Sequence, residues 1–96
     1  MNLPVILIGA GGHARVLLSV LQLGKADIVG VADVDPAYWG SEVMGVPVLG
    51  NDEKVLGYPS HSIALVNGIG STASTVKRRE MYEIFKQHGY SFLRIL

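Results

Sequence analysis

The sequence predicts a small α/β domain of three layers built on a parallel sheet. Three observations carry this. The chain opens on a short, unbroken apolar run, the hydrophobic period then changes to a helical one, and a second apolar run follows within about 30 residues, the spacing of one βαβ unit. A crossover of this kind is right-handed and leaves its two strands parallel.

The elements follow in order. Leu3 to Ile8 is too short for a helix and rich in Val and Ile, as expected of a strand buried on both faces of a parallel sheet. From His13 to Leu23 the residues Val16, Leu17, Val20 and Leu21 recur at helical spacing, with Gly24 placed to supply the left-handed C′ position. Ile28 to Ala32 reads as the second buried strand, ended by Asp33 and the turn-forming pair Asp35-Pro36. Ala37 to Gly45 shows no sustained period and is expected to be a loop. Val46 to Leu49 is a short strand whose Pro47 suits an edge position or a strand start. Asn51 or Asp52 is a candidate cap for a short helix through Leu56.

Ser62 to Val66 is a further apolar strand, and Asn67-Gly68-Ile69-Gly70 a second glycine turn. The longest helix is expected from about Ser71 to His88, capped by Ser71, Thr72 or Ser74 and closed by Gly89. Its apolar arc is Ala73, Met81, Ile84, Phe85 and His88. Phe92 to Leu96 is a last strand.

Composition bounds the function. With 96 residues the chain is one domain, able to bury one modest core. A mean hydropathy of +0.36 and 17 % charged residues argue against disorder. Eight basic and eight acidic residues cancel, so no global positive field draws the chain to nucleic acid or to an anionic membrane. The absence of cysteine excludes thiolate nucleophiles, disulfides and Cys-based zinc sites, and the three histidines lack metal-ligand spacing. The N-terminus has no basic n-region and no apolar run approaches the ~20 residues of a membrane span, so a cytoplasmic protein is expected. Twelve glycines are nearly twice the usual share of about 7 %, and they sit at the ends of apolar runs.

Gly9-Ala10-Gly11-Gly12-His13-Ala14 fits the G-x-G-x-x-[G/A] fingerprint in its required context, after a strand and opening a helix, which makes the expected fold Rossmann-like. Gly9 permits the tight turn, Gly11 lets a phosphate approach the backbone, and Ala14 lets helix and sheet pack closely. Amides and the helix dipole at residues 11–14 favour an anion. Asp33 stands where an acidic side chain can accept ribose hydroxyls. The same glycines would also serve a plain strand-to-helix turn, and Asp33 and Asp35 a plain turn opener.

His13 would stand beside a bound phosphate, whereas His61 and His88 read as a loop residue and a helix-end cation. Asn67 and Gly68 would face the same crevice as the first glycine turn. Lys77-Arg78-Arg79 lies early in its helix, against the dipole preference, which suits either an anionic partner or a solvated basic face. Tyr38 and Trp39 could stack on a base or cover the core beneath a loop.

These motifs resemble the N-terminal domain of the NeuD/PglD family of sugar O- and N-acetyltransferases. The likeness rests on the opening Ile-Gly-Ala-Gly-Gly-His-Ala, Gly30-Val31-Ala32-Asp33, Gly45-Val46-Pro47-Val48-Leu49-Gly50, Asn67-Gly68 before a helix carrying Arg78, and Gly89-Tyr90-Ser91-Phe92. It implies that the domain holds a nucleotide-sugar acceptor, expected to be UDP-linked. Gly9, Gly11, Gly12 and His13 would lie near the phosphates, Asp33 near the nucleoside, Asn67 and Gly68 near the sugar or phosphate, and Arg78 would be a further substrate-binding residue. Family members continue into a trimeric left-handed β-helix that binds acetyl-CoA and carries the catalytic histidine. This sequence has no hexapeptide repeats, so residues 1–96 are expected to bind but not catalyse, needing no cofactor of their own. Acetyl-CoA and a homotrimer are implied for the parent protein, and a monomer for the segment. Two other readings share the fingerprint: an NAD(P)-binding redox or sensing module, and a non-catalytic interaction domain.

Overall fold

The computed structural model describes residues 3–11, 14–67 and 75–93. The candidate residues Gly12, His13 and Gly68, the candidate caps at 71–74, Ala73 and residues 94–96 lie outside the described residues.

Among the described residues, six strands form one sheet: β1 (Val5–Ile8), β2 (Ile28–Ala32), β3 (Glu42–Val43), β4 (Val46–Gly50), β5 (Ala64–Asn67) and β6 (Ser91–Phe92), in the order β3-β4-β2-β1-β5-β6. All neighbours are parallel except β3 and β4. The helices α1 (Ala14–Leu23) and α2 (Thr75–Gln87) lie on opposite faces. The three-layer α/β expectation therefore holds.

The unbroken apolar run of β1 has a direct cause, since successive side chains of a strand point to opposite faces. Val5 and Leu7 join the cluster under α1, built with Leu18, Val31, Val48 and Val66. Ile6 and Ile8 join the other, beneath α2 and the 3-10 helix Asp52–Gly57, with Val55, Leu65, Met81 and Phe85. All four β1 residues are buried, which leaves no position for a polar one.

Three details differ from the sequence reading. The loop expected over residues 37–45 contains the 3-10 turn Pro36–Tyr38 and the two-residue strand β3, which pairs antiparallel with β4. Met44 (φ 53°) and Gly45 (φ 81°) make the two-residue hairpin that joins them. A strand of two residues is too short to show a period. It also moves Pro47 off the sheet edge, because β3 lies outside β4.

At the end of α1 the left-handed residue is Lys25 (φ 58°), not Gly24. The Ala26 amide bonds to Leu21 O and the Lys25 amide to Gln22 O, a Schellman motif one residue later than expected. This register lets Ala26 pack against the cluster that holds Leu21. At the end of α2 the expected Gly89 does take the left-handed position (φ 92°), with Tyr90 N bonded to Phe85 O.

The apolar arc of α2 is narrower than expected. Met81 and Phe85, one turn apart, are buried, while Ile84 is 50 % exposed and His88 is exposed, its Nδ1 bonded to Ile84 O at 2.8 Å. Ile84 lies about 100° around the helix from Phe85, beyond the stripe that the sheet covers. Tyr90 and Phe92 complete the contact, with Phe85 and Tyr90 edge to face at 5.8 Å. Among the described residues no helix is long and apolar enough to cross a membrane.

Candidate functional site

The registers of β1, β2, β4 and β5 bring their carboxyl ends to one level. Ile8 is opposite Ala32 on one side and Asn67 on the other, and Ala32 is opposite Gly50. From β1 the chain winds outward through β2 to β4, then returns to the far side of β1 as β5. The winding therefore reverses between β1 and β5. In open α/β sheets the crevice outside the carboxyl ends at such a reversal is where ligands bind. The Gly9–Gly11 turn leaves β1 at this point and Asn67 ends β5 beside it.

Gly9 adopts φ 104°, a conformation that disfavours a Cβ, and its amide bonds to Ala32 O at 2.7 Å. The next amide, of Ala10, bonds to Asp33 Oδ2 at 2.7 Å. The other carboxylate oxygen, Oδ1, accepts the Asp35 amide at 2.8 Å. Asp33 also acts through its backbone: its carbonyl accepts Trp39 Nε1 at 2.7 Å, and its amide donates to Gly50 O at 2.9 Å. One residue thus ties together the glycine turn, the loop after β2 and the end of β4. Asp33 is half-buried, which strengthens its two carboxylate bonds relative to water.

Asp35 takes the turn role. Its Oδ1 accepts Ala37 N at 3.0 Å and caps the 3-10 turn Pro36–Tyr38. This turn carries Tyr38 over the glycine loop, where a Cβ placed on Gly11 would stand 3.1 Å from the Tyr38 hydroxyl. A side chain on Gly11 would thus have to shift the Tyr38 ring, whose hydroxyl end lies nearest. Trp39 borders a cleft of about 540 Å³ with Leu49, Gly50, Asn51, Glu53 and Lys54.

The structure therefore gathers Gly9, Gly11 and Asp33 on one side of the crevice and sets Asn67 on the other. Gly12, His13 and Gly68 lie outside the described residues. Arg78 falls within α2, and its side chain is not among those described. Sequence reasoning gave no site role to the cleft residues Leu49, Gly50, Glu53 and Lys54; Leu49 and Gly50 stood only within the Gly45–Gly50 motif, and Glu53 and Lys54 only after the helix cap at Asn51. Among the described residues no group of three or more His, Cys, Asp or Glu could hold a metal ion.

The family model of the PglD N-terminal domain matches residues 4–85. The chain belongs to this family. Solved structures similar to this PglD-type domain agree. A variant of perosamine N-acetyltransferase from Caulobacter crescentus, in complex with CoA and GDP-perosamine, is 28 % identical with a TM-score of 0.73, over 91 % of this chain and 39 % of that one. PerB from Caulobacter crescentus, with the same two ligands, is 30 % identical with a TM-score of 0.72 over the same shares. The acetyltransferase domain of PglB from Neisseria gonorrhoeae FA1090, in complex with acetyl coenzyme A, is 25 % identical with a TM-score of 0.71, over 94 % of this chain and 42 % of that one. The PglD-type chain thus spans about two-fifths of the length of these relatives. No curated protein matches it.

Proposed function

We propose that this PglD-type domain binds the nucleotide-sugar acceptor of a sugar acetyltransferase, holding it in the crevice between the Gly9–Gly11 turn and Asn67. The observation that carries the reading is the reversal of winding between β1 and β5, which sets the fingerprint turn at the position where such sheets bind ligands. Two similar solved structures hold a nucleotide-sugar together with CoA, which supports acetyl transfer as the reaction of the parent protein.

In this reading the glycine turn and the start of α1 face the phosphates, with Gly12 and His13 adjoining them, and Asn67, Gly68 and Arg78 serve the sugar or phosphate. Asp33 is occupied in the free domain by the Ala10 and Asp35 amides, so its first contribution is to hold the turn in shape. A carboxylate can still accept further hydrogen bonds, from ribose hydroxyls among others. Acetyl-CoA binding, the general base that frees the acceptor amine or hydroxyl for attack on the thioester, and trimer formation belong to a left-handed β-helix domain of the parent.

Calorimetric titration of this chain with GDP- and UDP-linked amino sugars tests the proposal. Saturable binding is expected, and Gly11→Val is expected to abolish it while the far-ultraviolet circular dichroism is retained. Saturable NAD binding with no response to any nucleotide-sugar overturns the proposal in favour of a redox or sensing module. Flat titrations with every ligand leave an interaction domain.

A further inference from the structure

Helix α1 is apolar on two sides. Ala14, Leu18 and Leu21 are buried, whereas Val16, Val20 and Leu23, spaced by four and then three residues, form a second apolar row on the side away from them. Leu23 is 85 % exposed. A helix of the protein surface keeps a polar outer side, and one that is apolar all round is normally covered on both.

Beside this row lies a groove of about 440 Å³, whose lining includes Leu3, Val20, Leu21, Ala64, Ser91 and Leu93. Val5, Ala64 and Ser91 are register partners across β1, β5 and β6, so they share one sheet face, and Val5 places that face under α1. The 3-10 helix Asp52–Gly57 and α2 pack on the other face. Among the described residues, therefore, no helix lies over β5 and β6 on the α1 side. The strip left open is two strands or about 10 Å wide, the diameter of one helix.

We propose that this face is a two-fold interface with a second copy of the chain, the α1 row of each copy entering the groove of the other. The row and the groove lie side by side and share Val20. An isologous interface needs that arrangement, because one patch must offer both the projection and the recess. Charge favours a second copy over a strongly charged partner: the formal net charge is zero, and the exposed Lys25 and Asp27 just beyond Leu23 carry one charge of each sign. The patch has far fewer than the about 20–30 residues a side of a standard interface, so pairing is expected to be weak and concentration-dependent.

The groove lies at the amino ends of β1, β5 and β6, the far end of the sheet from the Gly9–Gly11 turn. The inference is thus independent of the nucleotide-sugar reading, and pairing leaves that crevice open. It departs from the monomer that the family resemblance implies for this segment.

Sedimentation equilibrium over about 10 µM to 1 mM tests it, a range chosen for a weak interface. The mass is expected to rise from 10.3 kDa and level off at double that value. Leu23→Arg is expected to weaken pairing about ten-fold or more, since it buries a charge, without lowering the melting temperature. Ile84→Arg makes the same change of charge on α2, at a half-exposed position beyond the opposite face, and is expected to leave pairing intact. A mass that stays at 10.3 kDa throughout overturns the proposal and leaves the groove to another segment of a longer parent protein. A mass that climbs past double without levelling off overturns the two-fold closure. Equal weakening by both variants overturns the assigned face.

Discussion

The carboxylate of Asp33 accepts the Ala10 amide at 2.7 Å, joining the turn after β1 to the end of β2. The two residues follow the carboxyl ends of neighbouring strands, so the bond sets the shape of the glycine turn before any ligand arrives. An acidic residue at the end of the second strand is usually discussed as a ribose acceptor. Here it is first an acceptor for the protein's own backbone.

Asp33→Ala leaves the amides of Ala10 and Asp35 without their acceptors. Loss of a partner by a half-buried donor costs about 1–3 kcal/mol, so a clear drop in melting temperature is expected, together with weaker nucleotide-sugar binding. Asp33→Asn keeps one acceptor oxygen and is expected to fall between the two. Thermal melts of the three proteins decide this; an unchanged melt for Asp33→Ala refutes the clamp.

Gly30 sits where β2 meets the side chain of Leu49, and a Cβ there would stand 2.6 Å from Leu49 Cγ. Gly30→Ala is therefore expected to destabilise the domain by about 1–3 kcal/mol through overpacking. Gly30→Ala combined with Leu49→Ala should recover part of that loss, because the clashing branch is gone. Chemical denaturation of the single and double variants measures the coupling, and simple additivity of the two losses would refute the contact.

Tyr90 is buried, and its hydroxyl lies 2.9 Å from Val55 O and 2.6 Å from Tyr58 O, holding the 3-10 helix Asp52–Gly57 against α2. Tyr90→Phe is expected to cost about 1–3 kcal/mol by leaving these carbonyls without that donor. Burial also raises the Tyr90 pKa above its ordinary 10.0. A raised folded-state value means that the contribution is complete below pH 10.0 and is lost as pH rises through the folded-state value. Wild type should therefore lose more stability at strongly alkaline pH than Tyr90→Phe does, read as the pH dependence of the denaturation midpoint.

Lys25 holds the left-handed position that ends α1, at φ 58°. A side chain there carries a cost of roughly 1–2 kcal/mol that glycine avoids. Lys25→Gly is expected to raise stability by a fraction of that amount, since glycine also gains freedom in the unfolded chain. Gly24→Ala, at a position with ordinary φ, should be tolerated. A scan in which Gly24→Ala is the more damaging of the two would contradict the observed cap register.

Much of this molecule was legible in its sequence because the signals are local. The run Val5-Ile6-Leu7-Ile8 has no polar member because both of its faces are covered, and Gly9, with φ 104°, marks the turn into α1. Gly89 ends α2 where the pattern placed it. Elsewhere the deciding partner is remote. Ala26 draws the cap from Gly24 to Lys25 by reaching the core, and Val43 becomes a strand only because Val46 lies across a two-residue turn. Ile84 matched the apolar period of α2 but lies outside the strip that the sheet covers.

The α/β class, the parallel strands and the glycine turn between β1 and α1 follow from local patterns alone, since hydrophobic period and backbone freedom are properties of neighbouring residues. Tertiary structure decided that Asp33 binds Ala10, Asp35, Trp39 and Gly50, that Tyr38 lies on Gly11, and that Trp39 and Glu53 line one cleft. Those pairings depend on the order in which the strands assemble, which places chain segments far apart in sequence at one end of a single sheet.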